Sequence, residues 1–562
     1  MVLCQPPVSH YSCSDTAIAK LATSKGIRAA QQALLMALNS PGIGHGTGPA
    51  NLAASLCEGK SHLPRKLAIL FCAALAACLA YPAPVRAAAD APPSVSANLR
   101  SVKLRKFPYP YRAMLAIESD ADHTDLRKFN IVHEFLNTRA ETPLGRGLGL
   151  DVADSFFLYN GSNIPAQIDY RGQRLNQEMT FFKGTSRRLN DGAILLHYIR
   201  AGWIDTLHSM GDFSRIGARG TLFSRSLAQY ALHYLERRGV RISVFTDHGN
   251  QSNTSNFGAY GINPFDDYQQ GDNPASPYFV TDLLRKEGVR FVWADLFRSQ
   301  YSYGSMLYPI RLRDGRTMWG FWRFTGTLKI ERVHRLWKYD WTDLWNPDLL
   351  ARQLSPNRLR ELVRTRGYTI IATHLEGNAN RAPLSTGAVE ALTRLAHMQD
   401  HGEILVARTS RLLQYNLVQQ FLRYRTYLSH GNIWIDVEYV ADPVDGAFVP
   451  TLAQLHGITF QVNRPGAVRL AVRGTPVPAA WLQRSARTVG VRWYRPDTYN
   501  YAVWNAKQLV QHPSVQSHLL APALFAQWRM FVVGLLGAAV AGFLLILLRR
   551  LARRNIRRAR SR

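Results

Sequence analysis

From about residue 107 to 425 the chain alternates short apolar runs with amphipathic helical stretches, and this alternation restricts its fold more than any other feature. A strand that is followed by a helix and then by another strand returns most readily as a parallel neighbour, so the pattern predicts β/α units around a parallel sheet. The runs that predict strands are 113–118, 155–159, 203–208, 242–246, 289–293, 368–373 and 403–407; helices are predicted at 222–238, 278–288, 356–367 and 386–401. Seven strands imply an α/β fold of distorted (β/α)7 type, a barrel one unit short of eight. After a helix at about 412–425 the texture changes. Over 431–510, short alternating runs such as Val468-Arg469-Leu470-Ala471-Val472, separated by Pro and Gly, predict a small all-β, sandwich-like domain.

The flanks carry targeting signals. Arg65-Lys66, an apolar run over 67–80 and the small residues Ala87-Ala88-Ala89 have the three parts of a secretory signal peptide, placed at 61–89. Leu75-Ala76-Ala77-Cys78 also fits a lipoprotein processing site, and an uncleaved anchor is a third reading. Residues 1–60 show little periodicity, as expected of a disordered extension or of a start codon set too far upstream; 90–106, with Pro92-Pro93, predicts a tether. Every residue over 530–548 is apolar or glycine, which at about 1.5 Å per residue crosses a hydrocarbon core of about 30 Å. The basic tail at 549–562 marks the cytoplasmic side. The expectation is therefore a single-pass protein of the cell inner membrane with its bulk periplasmic.

The formal net charge is +29, and part of that excess is the tail. The remainder forms no block that would track a nucleic acid backbone, so nucleic acid is not expected as a partner, whereas an anionic glycan or membrane headgroups suit a basic surface. All five cysteines lie at or before Cys78, so a metal in the exported part has to be held by His, Asp or Glu.

In a parallel barrel, reactive residues collect at the carboxyl ends of the strands. Those ends are unusually polar here: Glu118-Ser119-Asp120-Ala121-Asp122-His123, His208-Ser209-Met210-Gly211-Asp212, Asp247-His248-Gly249-Asn250, Asp295, and His374-Leu375-Glu376. Each has an ordinary structural explanation by itself, such as a helix cap after Asp122, a core histidine at His208 or His374, or a turn at 247–250. Their coincidence at several independent strand ends points to a site.

At these residues the chain resembles the polysaccharide deacetylase superfamily, the NodB-homology fold, over roughly 107–425. The resemblance implies a divalent metal, zinc in most members, and an acidic pair matched by Asp120 and Asp122. It also implies a histidine motif that begins at His208-Ser209 and a late histidine at His374. Asp120 is then the base, His374 the acid, and Asp122, His208 and Asp212 the ligands. The acidic pair is split by Ala121, and Asp212 stands where the family has a second histidine, so His123, Asp247, His248 and Asp295 remain alternative ligands or substrate contacts. The function implied is removal of acetyl groups from an envelope or exported polysaccharide. Two other functions compete with it. One is a glycoside hydrolase using Glu118 or Asp120 with Asp295; the other is a non-catalytic glycan-binding or assembly protein of an exopolysaccharide system with its assembly partners.

Overall fold

The computed structural model describes residues 102–495 apart from 162–177, 214–220, 250–251, 259–267, 295–299, 334–335, 343–344 and 377–382. The extension, signal peptide, membrane helix, basic tail and Asp295 lie outside the described residues, as does most of the tether. Among the described residues no helix is long and apolar enough to cross a membrane.

The main sheet contains β1 (Ala113–Ser119), β2 (Ala153–Phe156), β3 (Ile204–His208), β4 (Val244–Thr246), β5 (Phe291–Trp293), β6 (Leu307–Arg311), β7 (Thr317–Phe321), β8 (Tyr368–Thr373) and β9 (Ile404–Val406). Its order is β8-β1-β2-β3-β4-β5-β7-β6, with β9 also on β1. Neighbours run parallel except in the β6–β7 hairpin. Every residue of β1 is buried, which explains a sequence that is continuously apolar rather than alternating.

The expected barrel is not a closed ladder among the described residues. β1 is divided between two neighbours, with Ala113–Leu115 paired to β9 and Glu118–Ser119 paired to β2. The unanticipated β6–β7 hairpin forms the far edge. Across the gap, Phe324 beyond β7 makes backbone hydrogen bonds with Ile370 and Ala372 of β8.

The helices longer than four residues, among the described residues, are α1 (Leu126–Asn137), α2 (Gly192–Ala201), α3 (Arg225–Arg237), α4 (Thr281–Lys286), α5 (Pro356–Thr365), α6 (Thr386–Asp400) and α7 (Thr409–Phe421). α1 starts at Asp125, whose side chain accepts the Lys128 N–H at 2.9 Å. The capping role in the acidic run thus belongs to Asp125, and Asp122 is left for the site. α2 ends on Gly202 at φ 78°, where an added Cβ would run into the Arg408 guanidinium.

The β part begins where α7 ends, at Leu422 rather than near residue 431. One four-stranded sheet holds β10 (Leu422–Ser429), β11 (Asn432–Val440), the later β13 (Val468–Val472) and Thr475–Pro476. The other is built of Lys103–Leu104, β12 (Thr459–Gln461), β15 (Thr488–Val491) and β14 (Leu482–Arg484). Because Leu104 pairs with Phe460 and Val102 is buried, the expected tether ends before residue 102. Ile435 and Leu470 from one sheet and Phe460 and Val489 from the other share a single apolar cluster with Met114, Leu412 and Leu413. Burial of that cluster couples the β part to the α/β part.

Candidate metal centre and acid–base pair

The parallel strands bring their carboxyl ends to one mouth, where six of the expected residues, Asp120, Asp122, His208, Asp247, His248 and His374, meet. Asp122 lies in the turn after β1, His208 closes β3, and His374 follows β8. Their separations are 3.6 Å from His208 Nδ1 to Asp122 Oδ2 and 3.6 Å from His374 Nε2 to the same oxygen. His248, after β4, adds Nδ1 at 3.2 Å from Asp122 Oδ1. Two donors that are each about 2 Å from a tetrahedral ion stand about 3.4 Å apart, so these spacings suit a shared divalent cation. One donor atom from each of Asp122, His208 and His248 falls within 4.8 Å of the others.

Asp212 is not in the ligand position expected for it. Its Oδ1 faces His248 Nε2 at 3.2 Å, on the side of the ring away from Asp122. Asp212 is thus placed to orient the ring, and His248, an alternative in the sequence, stands where a third donor would be needed. Carboxylate behind histidine is the usual support of a metal-binding imidazole, since it fixes the tautomer and raises the basicity of the other nitrogen. Asn256 holds the same loop, accepting the His248 N–H at 3.2 Å.

Asp120 is buried beside this group. Arg323 Nη2 donates to both of its oxygens at 2.9 Å, Arg323 Nη1 donates to Thr246 Oγ1 at 2.7 Å, and Arg323 Nε lies 3.5 Å from Glu118 Oε2. His374 Nε2 is 4.0 Å from Asp120 Oδ2. Trp345 stacks on His374 with ring centroids 5.2 Å apart, and Phe157 stacks on His208 at 4.8 Å.

The electrostatics separate these groups. Burial raises Asp120, and Arg323 opposes it, leaving a pKa of about 6. Burial also works against ionised Asp122, but His248, His374 and His208 outweigh it and hold that carboxyl well below the usual range. His208 is driven well below an ordinary imidazole by burial, against the pull of Asp122, so it is neutral as a ligand must be. His248 is lowered by burial, yet Asp122 and Asp212 more than compensate and bring it to about 9. Glu118, buried and close to Asp120, rises to about 8 even with Arg323 beside it.

A cavity of about 330 Å³ opens over Asp120, Asp122, His208, His248 and His374, with Trp293 and Trp345 among its walls. Three residues around it have left-handed backbone: His123 (φ 63°), Ser209 (φ 52°) and Trp345 (φ 52°). That conformation costs a non-glycine residue about 1–2 kcal/mol and is concentrated at sites whose side chains must be aimed.

The other expected residues fall nearby in different roles. Asp247 lines the cavity and accepts the Phe257 N–H at 3.0 Å. His123 does not line it; its backbone N–H donates to Glu178 Oε1 at 3.0 Å. Of the aromatics, Trp293 reaches the cavity, while Trp203 and Tyr159 are core residues. Arg323, Glu178 and Trp345 were not anticipated. The run Trp319-Gly320-Phe321-Trp322-Arg323-Phe324 does contain a signal, because a cation among buried aromatics needs a buried counter-ion.

A second cluster, His133, Asp154 and Glu376, is fully buried, with His133 Nε2 3.1 Å from Asp154 Oδ1. Burial pushes both carboxyls well upward, and the charge of Asp154 adds to the rise at Glu376, so the pair retains a proton. None of its members lines the cavity. Comparison with family models, curated proteins and solved structures finds no match to this chain.

Proposed function

We propose that the chain is a metal-dependent deacetylase acting on an acetylated envelope or exported polysaccharide, membrane-anchored with its catalytic part outside the cytoplasm. The observation that carries this reading is the convergence of three histidines, His208, His248 and His374, on Asp122 at 3.2–3.6 Å, with Asp120 4.0 Å from His374. Either Asp122, His208 and His248 or Asp120, Asp122 and His374 are close enough to share an ion; the reading gives the first set to the metal and Asp120 with His374 to acid–base chemistry. The donor set of one carboxylate and two imidazoles, with a second carboxylate supporting His248, fits zinc. When bound, such an ion supplies a Lewis acid for the acetyl carbonyl and makes water more acidic.

The side chains account for the remaining steps. Asp120 takes the proton of the attacking water; a base near pKa 6 is mostly ionised at neutral pH and still basic enough to act. Arg323 occupies one side of that carboxylate and keeps it aimed, with acceptor capacity left for the water. His374, held by the Trp345 ring, donates a proton to the departing sugar nitrogen or oxygen. Trp293 and Trp345 offer faces to a sugar ring. Of the glycosidase pairings, the one through Glu118 has less support, since Glu118 is fully buried against Arg323 and does not line the cavity; Asp295, the partner in either pairing, lies outside the described residues.

The test is acetate release from acetylated envelope glycans by the full chain in detergent. Activity should be lost on chelation and restored by zinc. Release that is indifferent to chelation, or no release from zinc-loaded protein, would overturn the reading.

A further inference from the structure

A larger cavity, of about 820 Å³, lies at the opposite end of the main sheet. It is lined by residues that precede the strands: Tyr109 and Tyr111 before β1, Asp151 before β2 and Ala201 before β3. At about 3.3 Å per residue, the runs from Ala201 to His208 and from Tyr111 to Asp120 separate this cavity from the candidate metal centre by about 20–30 Å. The second wall comes from the β part, through Leu482–Arg484 and the segment that follows β15.

The lining is strongly one-signed. Arg200, Arg408, Arg411, Arg484, Arg492 and Arg495 face one carboxylate, Asp151. Asp151 is already engaged, with its oxygens 3.3 Å from Arg408 Nε and 2.8 Å from Arg411 Nη1. No carboxylate among the described residues pairs with the other four arginines, of which Arg200, Arg484 and Arg492 donate to backbone carbonyls. Burial and the like charge of Arg408 lower Arg411 despite Asp151, and an incoming anion would relieve that repulsion. Aromatic rings are set among the cations. Tyr109, Tyr111, Trp493 and Tyr494 line the same cavity, and the Arg411 guanidinium lies 3.7 Å from the Tyr494 ring centroid.

We propose that this cavity binds a stretch of acidic polysaccharide, its arginines pairing with uronate-type carboxylates and its aromatic rings packing on sugar faces. Guanidinium forks match carboxylates in two-point geometry, and a planar aromatic supplies apolar area to a pyranose face. A concave cavity with rings between the cations suits a threaded polymer better than a lipid surface, which favours a flat or convex basic face carrying exposed apolar side chains. The inference stands apart from the deacetylase reading, because it assigns a holding site and not a chemical one. Should both hold, the polysaccharide is gripped about 20–30 Å from where acetyl groups are removed.

The experiment measures binding of the full chain in detergent to three probes: polygalacturonate oligomers, neutral dextran oligomers of similar length, and vesicles containing phosphatidylglycerol. Binding to polygalacturonate alone, weakening as salt is raised, is the expected result. The exposed pair R200Q with R495Q, made together, should weaken that binding about tenfold or more, with unchanged circular dichroism and melting temperature. Equal binding of neutral and acidic oligomers, binding to vesicles only, or wild-type affinity in the double variant would each overturn the proposal. Acetate release from a short acetylated oligosaccharide should be the same in the double variant as in the parent chain. If the parent releases none while polygalacturonate still binds, the deacetylase reading fails and the holding site stands.

Discussion

Asp212 offers the sharpest test of the metal centre, because its two candidate positions give different numbers. In the structure His248 lies between two carboxylates, 3.2 Å from Asp122 through Nδ1 and 3.2 Å from Asp212 through Nε2. If Asp212 only supports the ring, Asp212→Asn keeps an acceptor for Nε2–H and loses its charge, roughly halving a charge-assisted bond. Zinc affinity should then fall about tenfold. Asp212→Ala removes the bond entirely and should cost nearer a hundredfold, or about 2.7 kcal/mol. His208→Ala and His248→Ala each take a donor from a set of three, and should leave no stoichiometric zinc at micromolar concentration. The assay is zinc titration of the full chain in detergent against a chelating dye, with circular dichroism as the folding control. Loss of zinc from Asp212→Asn as complete as from His208→Ala would return Asp212 to the ligand set. Wild-type affinity in His248→Ala would refute the arrangement altogether.

Asp120→Asn and His374→Ala should each retain zinc and lose acetate release by about a hundredfold or more, the scale of a general base or acid, as checked by metal content and initial rate. Zinc affinity should rise by about tenfold per pH unit up to about pH 9: below its raised pKa of about 9 His248 carries a proton that the metal has to displace, and above it none remains. A titration in which affinity is flat between pH 7 and 9 would contradict that charge state. Gly202→Ala should lower the unfolding free energy by about 1–2 kcal/mol or more in denaturant melts, because residue 202 sits at φ 78° and a Cβ there meets the Arg408 side chain.

How much of this was legible in the sequence depended on burial. A strand covered on both faces is rich in apolar residues, as Ala113–Ile117 of β1 is, and β1, β3 and β8 stand out within a residue of their ends even though β3 carries Asp205 and Thr206; so do the starts of α5 and α6. α1 was hidden because Asn130, His133 and Asn137 are buried on the face that would otherwise show an apolar stripe. The β6 strand carries Pro309 and exposed positions, as an edge strand does, and lacks the apolar density of its neighbours. Within the site, Asp120, Asp122, His208 and His374 could be named because strand ends converge. The exchange of roles between Asp212 and His248 could not, since it depends on which way the loop after β4 turns back. That turn is held by Asn256, eight residues beyond His248, and by the Ser209–Ser255 hydroxyl contact at 2.7 Å, which spans 46 residues.

The expense of this mouth in folding terms is itself an argument about its purpose. Glu118, Asp120, Arg323 and His208 are buried at the ends of strands that apolar residues would stabilise better, because a buried ion pair rarely recovers its desolvation cost. Three neighbouring residues, His123, Ser209 and Trp345, add the cost of left-handed backbone. The charges, moreover, do not simply cancel in pairs. Arg323 meets Asp120 and Glu118 together, and Asp122 is surrounded by three imidazoles. A scaffold used only to present a binding surface would gain nothing from holding one carboxylate near pKa 6 a few ångströms from another kept fully ionised. An enzyme that moves a proton beside a cation needs that difference, and here it arises from the unequal partners of Asp120 and Asp122 rather than from unequal burial.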